Sequence, residues 1–225
     1  MSIVFITLIF LLSFGNALSN MDVNNYVDTI LNTALQIEVR SLGFDPLLLP
    51  DFSKEFEDHV KLFGTVHGSV KYTDGMLHGL SHASRTGDCS GLRYEYGFPF
   101  VNCSIELDKL SIYFEGNLKY GKLPSTTIHA KVNMSSIILE IGVSNYPMDF
   151  THLRSFAFLK IGEIKTKFTG LGSGLNKYLA ILHTGFLENV WPAFFNSVGK
   201  NFQYALGRAI ERMPLWGTTI LTIKR

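Results

Sequence analysis

Helical spacing marks two stretches of the chain, one near each end. Over residues 22–41, apolar side chains recur every three or four positions, as at Val23, Val27 and Ile30, which places them on one stripe of an α-helix. A second stripe begins after Gly174 and continues to Met213. Pro192 falls inside it and predicts a kink or a restart of the helix. The pattern therefore predicts an amphipathic N-terminal helix and a long C-terminal helix.

The region between these helices alternates between apolar and polar positions, which is typical of β-strands with one wet face. The alternating runs are His59–Tyr72, Leu110–Tyr120, Ile128–Val143 and Ile164–Phe168. The phase of the third run flips at Ser135-Ser136, which predicts a β-bulge that bends the strand. Asp74-Gly75 predicts a hairpin turn after the first run. The middle of the chain is therefore predicted to be an antiparallel meander of long strands.

The order helix, meander, helix favours an α+β fold. An antiparallel sheet with one dry face needs a cover, and an amphipathic helix supplies one. We expect a long bent antiparallel sheet wrapped around the long C-terminal helix, with the N-terminal amphipathic helix packed beside it. Residues 18–216 are expected to form a single module, and residues 217–225 are a tail to which the pattern assigns no structure.

The first residues have the pattern of a secretory signal peptide. Ile3–Leu12 is apolar apart from Thr7, and it is too short for a membrane span of about 20 residues. Gly15 and Ala17 are small residues of the kind found at a cleavage site. We therefore expect residues 1–17 to be removed and the protein to be secreted. A buried N-terminal helix is the alternative.

Secretion changes the interpretation of the cysteines and of two Asn-X-Ser triplets. The chain has 2 cysteines, Cys89 and Cys103, and an oxidising route favours a disulfide between them. Two buried free thiols are the alternative. Asn102 and Asn133 begin glycosylation sequons, which have meaning only in the secretory route. The neighbouring disulfide disfavours modification of Asn102.

The composition excludes disorder and gives no general attraction to polyanions. The 225 residues include 20 Lys and Arg against 19 Asp and Glu, and this net charge of +1 does not favour nucleic acid as a partner. Hydrophobic residues make up 46% of the chain, including 18 Phe, so there is ample side-chain volume for a core.

No motif predicts catalysis, a cofactor or a metal site. The loop Gly87–Gly91 resembles a nucleophile loop only loosely and has no identifiable base. His78 and His82 are four positions apart, but on a strand their Cα atoms are separated by about 13 Å, too far to share one ion. A solvated linker is expected for the acidic residues Glu55, Glu57 and Asp58. We therefore expect a protein that is not an enzyme, with a secreted hydrolase as the alternative.

What remains is a large apolar volume. Long bent strands, interior glycines and many Phe favour a groove that does not close completely, where each buried methylene of a ligand contributes about 0.8 kcal/mol. We predict that a lipid or another hydrophobic molecule binds in a groove between the concave sheet face and the C-terminal helix. The predicted lining residues are Ile30, Ala34, Val66, Val70, Ile112, Val132, Leu179, Leu182 and Phe186. A structural or interaction protein whose core is filled by its own side chains is the alternative.

Phe63 interrupts the alternation, because it is apolar at a position on the wet face beside Leu62. Exposed apolar residues in a patch mark interaction sites. We predict that Phe63 contacts the ligand or, transiently, a membrane surface. Packing against a neighbouring loop is the alternative.

Several short motifs, taken in their order and spacing, resemble those of the group 7 mite allergens. The matching motifs are Phe44-Asp45-Pro46, Pro50-Asp51, Phe56-Glu57 with His59, Gly68, Gly79-Leu80, Arg85-x-Gly87-Asp88 and, more loosely, Lys119-Tyr120-Gly121 and the strand 128–143. The chain departs from the family by an extra residue near Gly64, by its cysteine pair and by the tail after Met213. The resemblance implies a secreted arthropod protein with a curved sheet on a long helix. It also implies a fold similar to single modules of the bactericidal permeability-increasing and lipid-binding protein superfamily and to takeout-like proteins, with lipid or lipopeptide binding and no catalysis.

Overall fold

The computed structural model describes residues 22–60, 64–148, 150–172 and 179–215. The predicted signal peptide, Phe63, the first turns predicted for the C-terminal helix and the tail from residue 217 lie outside the described residues.

Both helices are present, and each contains a π-helical stretch. The N-terminal helix is α-helical over residues 22–29, π-helical over Ile30–Ala34 and α-helical again over Leu35–Ser41. The C-terminal helix consists of Leu179–Ser197, the π-helical stretch Val198–Phe202 and Gln203–Glu211. Pro192 does not restart this helix, which continues through it. The fully buried Val190 and Phe194 on either side of Pro192 hold the helix against the sheet.

The strands of the described residues form one antiparallel sheet. They are β1 Leu47–Leu49, β2 Phe52–Val60, β3 Gly64–His78, β4 Ala83–Arg85, β5 Arg93–Glu95, β6 Phe98–Tyr120, β7 Thr126–Ser144, β8 His152–Ile161 and β9 Ile164–Thr169. The main path is β1-β3-β6-β7-β8, while β2 also pairs with β3, β4 and β5 pair with β6, and β9 pairs with β7. The expected α+β architecture, a large antiparallel sheet with an N-terminal helix and a long C-terminal helix, is confirmed.

The β-bulge predicted at Ser135-Ser136 is absent, because β6 and β7 pair in the same register on both sides of these residues. The phase flip instead coincides with irregular positions in the neighbouring strands. In β6, the buried residues on either side of Asp108-Lys109 are also separated by two partly or fully exposed positions, and Lys109 has φ 56°. The other edge of β7 pairs first with β8 and then with β9. These two strands are separated by Gly162-Glu163. The Ser135 N–H donates to the Glu163 carbonyl at 3.0 Å, so β7 remains hydrogen-bonded to the segment that connects β8 and β9.

The stretch from His59 to Tyr72 is not one strand, so that prediction is wrong. β2 pairs with β3 with Val60 opposite Gly64, which means that the chain reverses between these two residues. Because both paired positions are even-numbered, the apolar even positions of β2 and β3 lie on the same face of the sheet. The two strands therefore give the same alternating pattern as one continuous strand. The three acidic residues assigned to a linker, Glu55, Glu57 and Asp58, lie in β2.

The hairpin predicted at Asp74-Gly75 is also absent, because both residues lie inside β3. The register between β3 and β6 shifts between Thr73 and Met76, and Asp74 has φ 54°, which is the geometry of a bulge. A Cβ at Gly75 would lie 2.2 Å from a ring carbon of Phe114. The glycine is therefore required by the close approach of a core ring and not by a hairpin turn.

The core lies between the inner sheet face and the two helices, and all its buried apolar side chains form one cluster. The C-terminal helix contributes the buried residues Leu182, Phe186, Val190, Phe194 and Phe202. Cys89 and Cys103 form the predicted disulfide, with their Cα atoms 4.4 Å apart, and attach the segment before β5 to β6.

Candidate functional site: a cleft at one end of the sheet

Aromatic rings occupy the space between the middle of the sheet and the C-terminal helix. The Phe186 ring centroid lies 5.0 Å from that of Tyr72, 5.8 Å from Phe114 and 5.5 Å from Phe168. Phe52 adds a further ring 4.8 Å from Tyr72. At this level the predicted groove is filled by side chains of the protein itself.

Most of the predicted lining residues belong to this core. Those that are buried are Ile30, Ala34, Val70, Ile112, Val132, Leu182 and Phe186. Leu179, at the first described position of the C-terminal helix, is 42% exposed. Val66 is the predicted residue that lines an open cleft. Contact of any of these residues with a ligand, Val66 included, remains a prediction.

The open cleft lies where β3 begins and β6 ends, and its volume is about 850 Å³. It is lined by Thr65, Val66, His67, Tyr120, Gly121, Lys122 and Leu123. We call it the tip cleft. Its volume falls within the range of about 300–1,000 Å³ that is usual for small-molecule sites.

Backbone pairing positions the two walls of the tip cleft. The Gly121 N–H donates to the His67 carbonyl at 2.9 Å, which attaches the turn after β6 to β3. Gly121 has φ +55°, and a Cβ there would lie 3.0 Å from Val66 Cγ1. A glycine therefore allows this turn to approach β3 closely and leaves Val66 as part of the wall.

Tyr120 is held in place from two sides. Its hydroxyl donates to Asp58 Oδ2 at 2.7 Å, and its ring stacks on Phe56 with the centroids 6.5 Å apart. Phe56 in turn lies over Gly68, where a Cβ would come within 2.3 Å of the ring. The Tyr120 ring is thus fixed in position. Its face offers an apolar surface, and its hydroxyl is already hydrogen-bonded to Asp58.

Polar and charged groups surround this apolar surface. A neighbouring cleft of about 550 Å³ shares His67 and Gly121 with the tip cleft and is also lined by Glu55, Glu57 and Lys119. His67 Nδ1 lies 3.2 Å from a Glu57 carboxylate oxygen. Val66, Tyr120 and Leu123 can pack against a hydrocarbon chain, and the charged rim can contact a polar headgroup.

Comparisons with known proteins place the chain in a family. The family model described as Group 7 allergen matches residues 22–203. The chain belongs to the Group 7 allergen family. Several solved structures also match, and two of them are described here. Lipopolysaccharide binding protein is 18% identical, with a TM-score of 0.41, over 82% of this chain and 39% of that chain.

Takeout 1 from Epiphyas postvittana is also 18% identical, with a TM-score of 0.32, over 83% of this chain and 87% of that one. The Group 7 chain thus spans about two fifths of the length of the lipopolysaccharide binding protein, with 39% covered. No curated protein matches the sequence.

Two of the motifs that resemble those of the Group 7 family, those containing Asp45 and Arg85, have structural roles here. Asp45 accepts hydrogen bonds from the backbone N–H groups of Gly79 and Ser81, each at 2.9 Å. Burial raises the pKa of Asp45, but these hydrogen bonds and that of the Ser81 hydroxyl outweigh it and lower the pKa below its ordinary value. Arg85 binds both carboxylate oxygens of Asp28 at 2.8 Å and so joins β4 to the N-terminal helix.

Apart from Val66, none of the residues that line the tip cleft was predicted from the sequence to bind a ligand. Lys119-Tyr120-Gly121 was only a loose part of the resemblance, and Leu123 belongs to no periodic run. Among the described residues, no group of three or more His, Cys, Asp and Glu side chains could hold a metal ion. No helix within the same residues is long and apolar enough to cross a membrane.

The two sequons differ in accessibility. Asn133 is exposed on β7, opposite Ser111 on one side and Lys165 on the other. Asn102 is half-buried, and its backbone N–H donates to Ser90 Oγ at 2.8 Å beside the disulfide. Glycosylation of either residue remains a prediction, and the exposures favour Asn133.

Proposed function

We propose that this Group 7 family member is a secreted, non-catalytic protein that binds a lipid, a lipopeptide or another amphipathic molecule in the tip cleft. The observation that carries the proposal is an open cleft of about 850 Å³ whose walls include Val66, Tyr120 and Leu123. The disulfide between Cys89 and Cys103 supports passage through an oxidising compartment.

The apolar wall supplies the affinity. A ligand that buries about four methylenes against these side chains gains about 3 kcal/mol at roughly 0.8 kcal/mol each. Leu123 is 57% exposed, so covering it with a ligand removes apolar surface from water. Because the Tyr120 hydroxyl is already paired with Asp58, the ligand need not satisfy it.

The rim favours a ligand with a polar end. Lys122 lines the tip cleft and makes no ion pair with another described residue. A negatively charged or strongly polar headgroup next to Lys122 would gain a charge-assisted hydrogen bond. The proposed ligand is therefore amphipathic, with its chain against Val66 and Leu123.

The filled interior favours a second candidate, a protein that interacts with other macromolecules and holds no lipid. Its support is the aromatic packing of Phe52, Tyr72, Phe114 and Phe186, which leaves the middle of the sheet–helix space occupied. The two candidates differ in one measurable property, which is saturable binding of a lipid.

The test is titration of the protein with a fluorescent fatty acid, with native mass spectrometry of material from a eukaryotic host. We expect saturable binding that Leu123→Asp weakens about tenfold, since a charge replaces part of the apolar wall. Leu48→Asp is the matched control, because Leu48 is 75% exposed on β1 and is not part of the tip cleft. If the probe does not saturate and no lipid co-purifies, the second candidate holds.

A further inference from the structure

The end of the sheet opposite the tip cleft carries a group of exposed apolar side chains. Tyr94 and Tyr96 are 62% and 80% exposed, and Met148 and Phe150 are 48% and 51% exposed. They lie at the β5–β6 hairpin and in the loop between β7 and β8, at the Phe98 end of β6, whereas the tip cleft is at the Tyr120 end. We call these four residues the aromatic pole.

Contacts join the two segments of the aromatic pole into one surface. The Tyr146 ring lies 4.9 Å from Tyr96 and 5.6 Å from Phe98, so the loop after β7 packs on the hairpin. The Ser144 hydroxyl donates to the Pro99 carbonyl at 3.2 Å and fixes the same junction. Single exposed apolar residues are normal on proteins, but several on joined segments mark an interaction site.

The backbone at Tyr96 gives an independent reason to assign a role to this surface. Glu95 pairs with Phe98, so Tyr96 and Gly97 form a two-residue hairpin turn, with φ 52° and 85°. Turns of this shape favour Asn or Asp at the first position, because most side chains are strained at positive φ. The chain therefore keeps a large exposed ring at a position where a small polar residue would be more stable. Strain of this kind concentrates at functional positions.

The chemistry of the aromatic pole fits a phospholipid bilayer. Tyrosine side chains favour the headgroup region, where the ring is shielded and the hydroxyl stays in water. Met148 and Phe150 supply apolar side chains for the acyl boundary. Arg93, the exposed first residue of β5, makes no ion pair with another described residue and is available to lipid phosphates. The nearby Arg154 is already paired with Glu95.

We propose that the aromatic pole is a docking surface for phospholipid bilayers, with Tyr96 at the headgroup level and Phe150 at the acyl boundary. This contact is separate from ligand binding in the tip cleft, because the two surfaces lie at opposite ends of β6. An amphipathic ligand can therefore be bound at one end while the other end contacts a membrane.

The test is co-sedimentation with vesicles of phosphatidylcholine, alone or mixed with phosphatidylserine. We expect the protein to bind both, and the mixed vesicles more tightly because of Arg93. Tyr96→Asn should weaken binding about tenfold, as expected for the loss of one large side chain that the bilayer would cover. The same substitution should keep or raise the melting temperature, since Asn tolerates the positive φ better. Weaker vesicle binding without a lower melting temperature excludes misfolding as the cause.

Phe150→Ser provides a second variant, and Leu48→Asn provides the control. Leu48 is also apolar and is more exposed than Phe150, but it lies on β1, outside the aromatic pole. The proposal is overturned if the wild-type protein does not bind vesicles, or if Tyr96→Asn and Phe150→Ser both bind as the wild type does. It is also overturned if the aromatic pole instead pairs two copies, seen as a dimer in sedimentation velocity that Tyr96→Asn dissociates. A wild-type protein that binds vesicles but no fatty acid probe would refute only the tip-cleft proposal.

Discussion

Glu38 Oε2 accepts a hydrogen bond from Arg208 Nε at 2.7 Å, across 170 positions of sequence. The carboxylate is fully buried, and Arg212 forms an ion pair with its other oxygen. This group joins the second half of the N-terminal helix to the last turns of the C-terminal helix. It therefore fixes the position of the C-terminal helix relative to the N-terminal helix.

Glu38→Gln is expected to destabilise the fold by about 1–3 kcal/mol, the usual effect of weakening a buried hydrogen-bonded charge. The effect stays below that of a fully buried ion pair because both arginines are partly exposed and can turn toward water. Urea denaturation measures the change. Glu163→Gln, which removes an exposed pair with Lys165, is the control and should change stability by less than about 0.5 kcal/mol. Equal effects of the two substitutions would contradict a structural role for Glu38.

Asp45→Asn should lower stability at neutral pH by about 1–3 kcal/mol, because the carboxylate accepts hydrogen bonds from the backbone of Gly79 and Ser81. The folded-state pKa of Asp45 is lowered, so its contribution is present above the ordinary Asp value and is lost as the pH falls through the folded pKa. The difference between wild type and variant should therefore narrow below about pH 4. Thermal melts from neutral to acidic pH measure this, and a constant difference would argue against the carboxylate as the cause.

Replacing both Cys89 and Cys103 by Ala should reduce stability by about 3 kcal/mol, because the bridge closes a short loop in the unfolded chain. The sequence separation of the pair is 14. Denaturant unfolding with and without a reductant measures the effect. Reductant should reproduce the loss in the wild-type protein and have no effect on the double variant. A wild-type protein insensitive to reductant would show that the bridge is absent or without effect.

Gly68→Ala should destabilise the protein by about 1–3 kcal/mol and weaken binding in the tip cleft. The added Cβ would lie 2.3 Å from Phe56 Cζ, and Phe56 supports the Tyr120 ring. Gly207→Ala is the control, since a Cβ there meets nothing within 4 Å and the residue is helical. That variant should gain about 0.5–1 kcal/mol and bind the probe as the wild type does. A well-folded Gly68→Ala with unchanged probe affinity would refute the supporting role of Phe56.

The sequence predicted the elements whose periodicity is set by burial. The helical stripe over residues 22–41 and the alternation in β6 and β7 both follow the one core that they face. The reversal of the chain between Val60 and Gly64 was not predicted, because the apolar residues occupy even positions both before and after it. A hairpin turn was wrongly predicted at Asp74-Gly75. The Asp-Gly pair is typical of such turns, but here the glycine is required because the Phe114 ring lies against it.

The site was harder to predict than the fold. The alternation of apolar and polar positions shows which residues face inward. It does not show which of them are covered by rings from distant segments, as Tyr72 is by Phe52 and Phe186. Val66 remains open because it lies at the start of β3, next to a turn that only the folded sheet brings near. That proximity depends on the hydrogen bond from Gly121 to His67, a pairing without a local sequence pattern.

Photo-crosslinking with a diazirine-bearing fatty acid, followed by peptide mapping, tests the central claim most directly. We predict that the label lies on peptides that contain Val66 and on those that contain Tyr120 and Leu123, and that unlabelled fatty acid competes for it. Label concentrated on the C-terminal helix around Phe186, or label that does not respond to competitor, would contradict binding in the tip cleft.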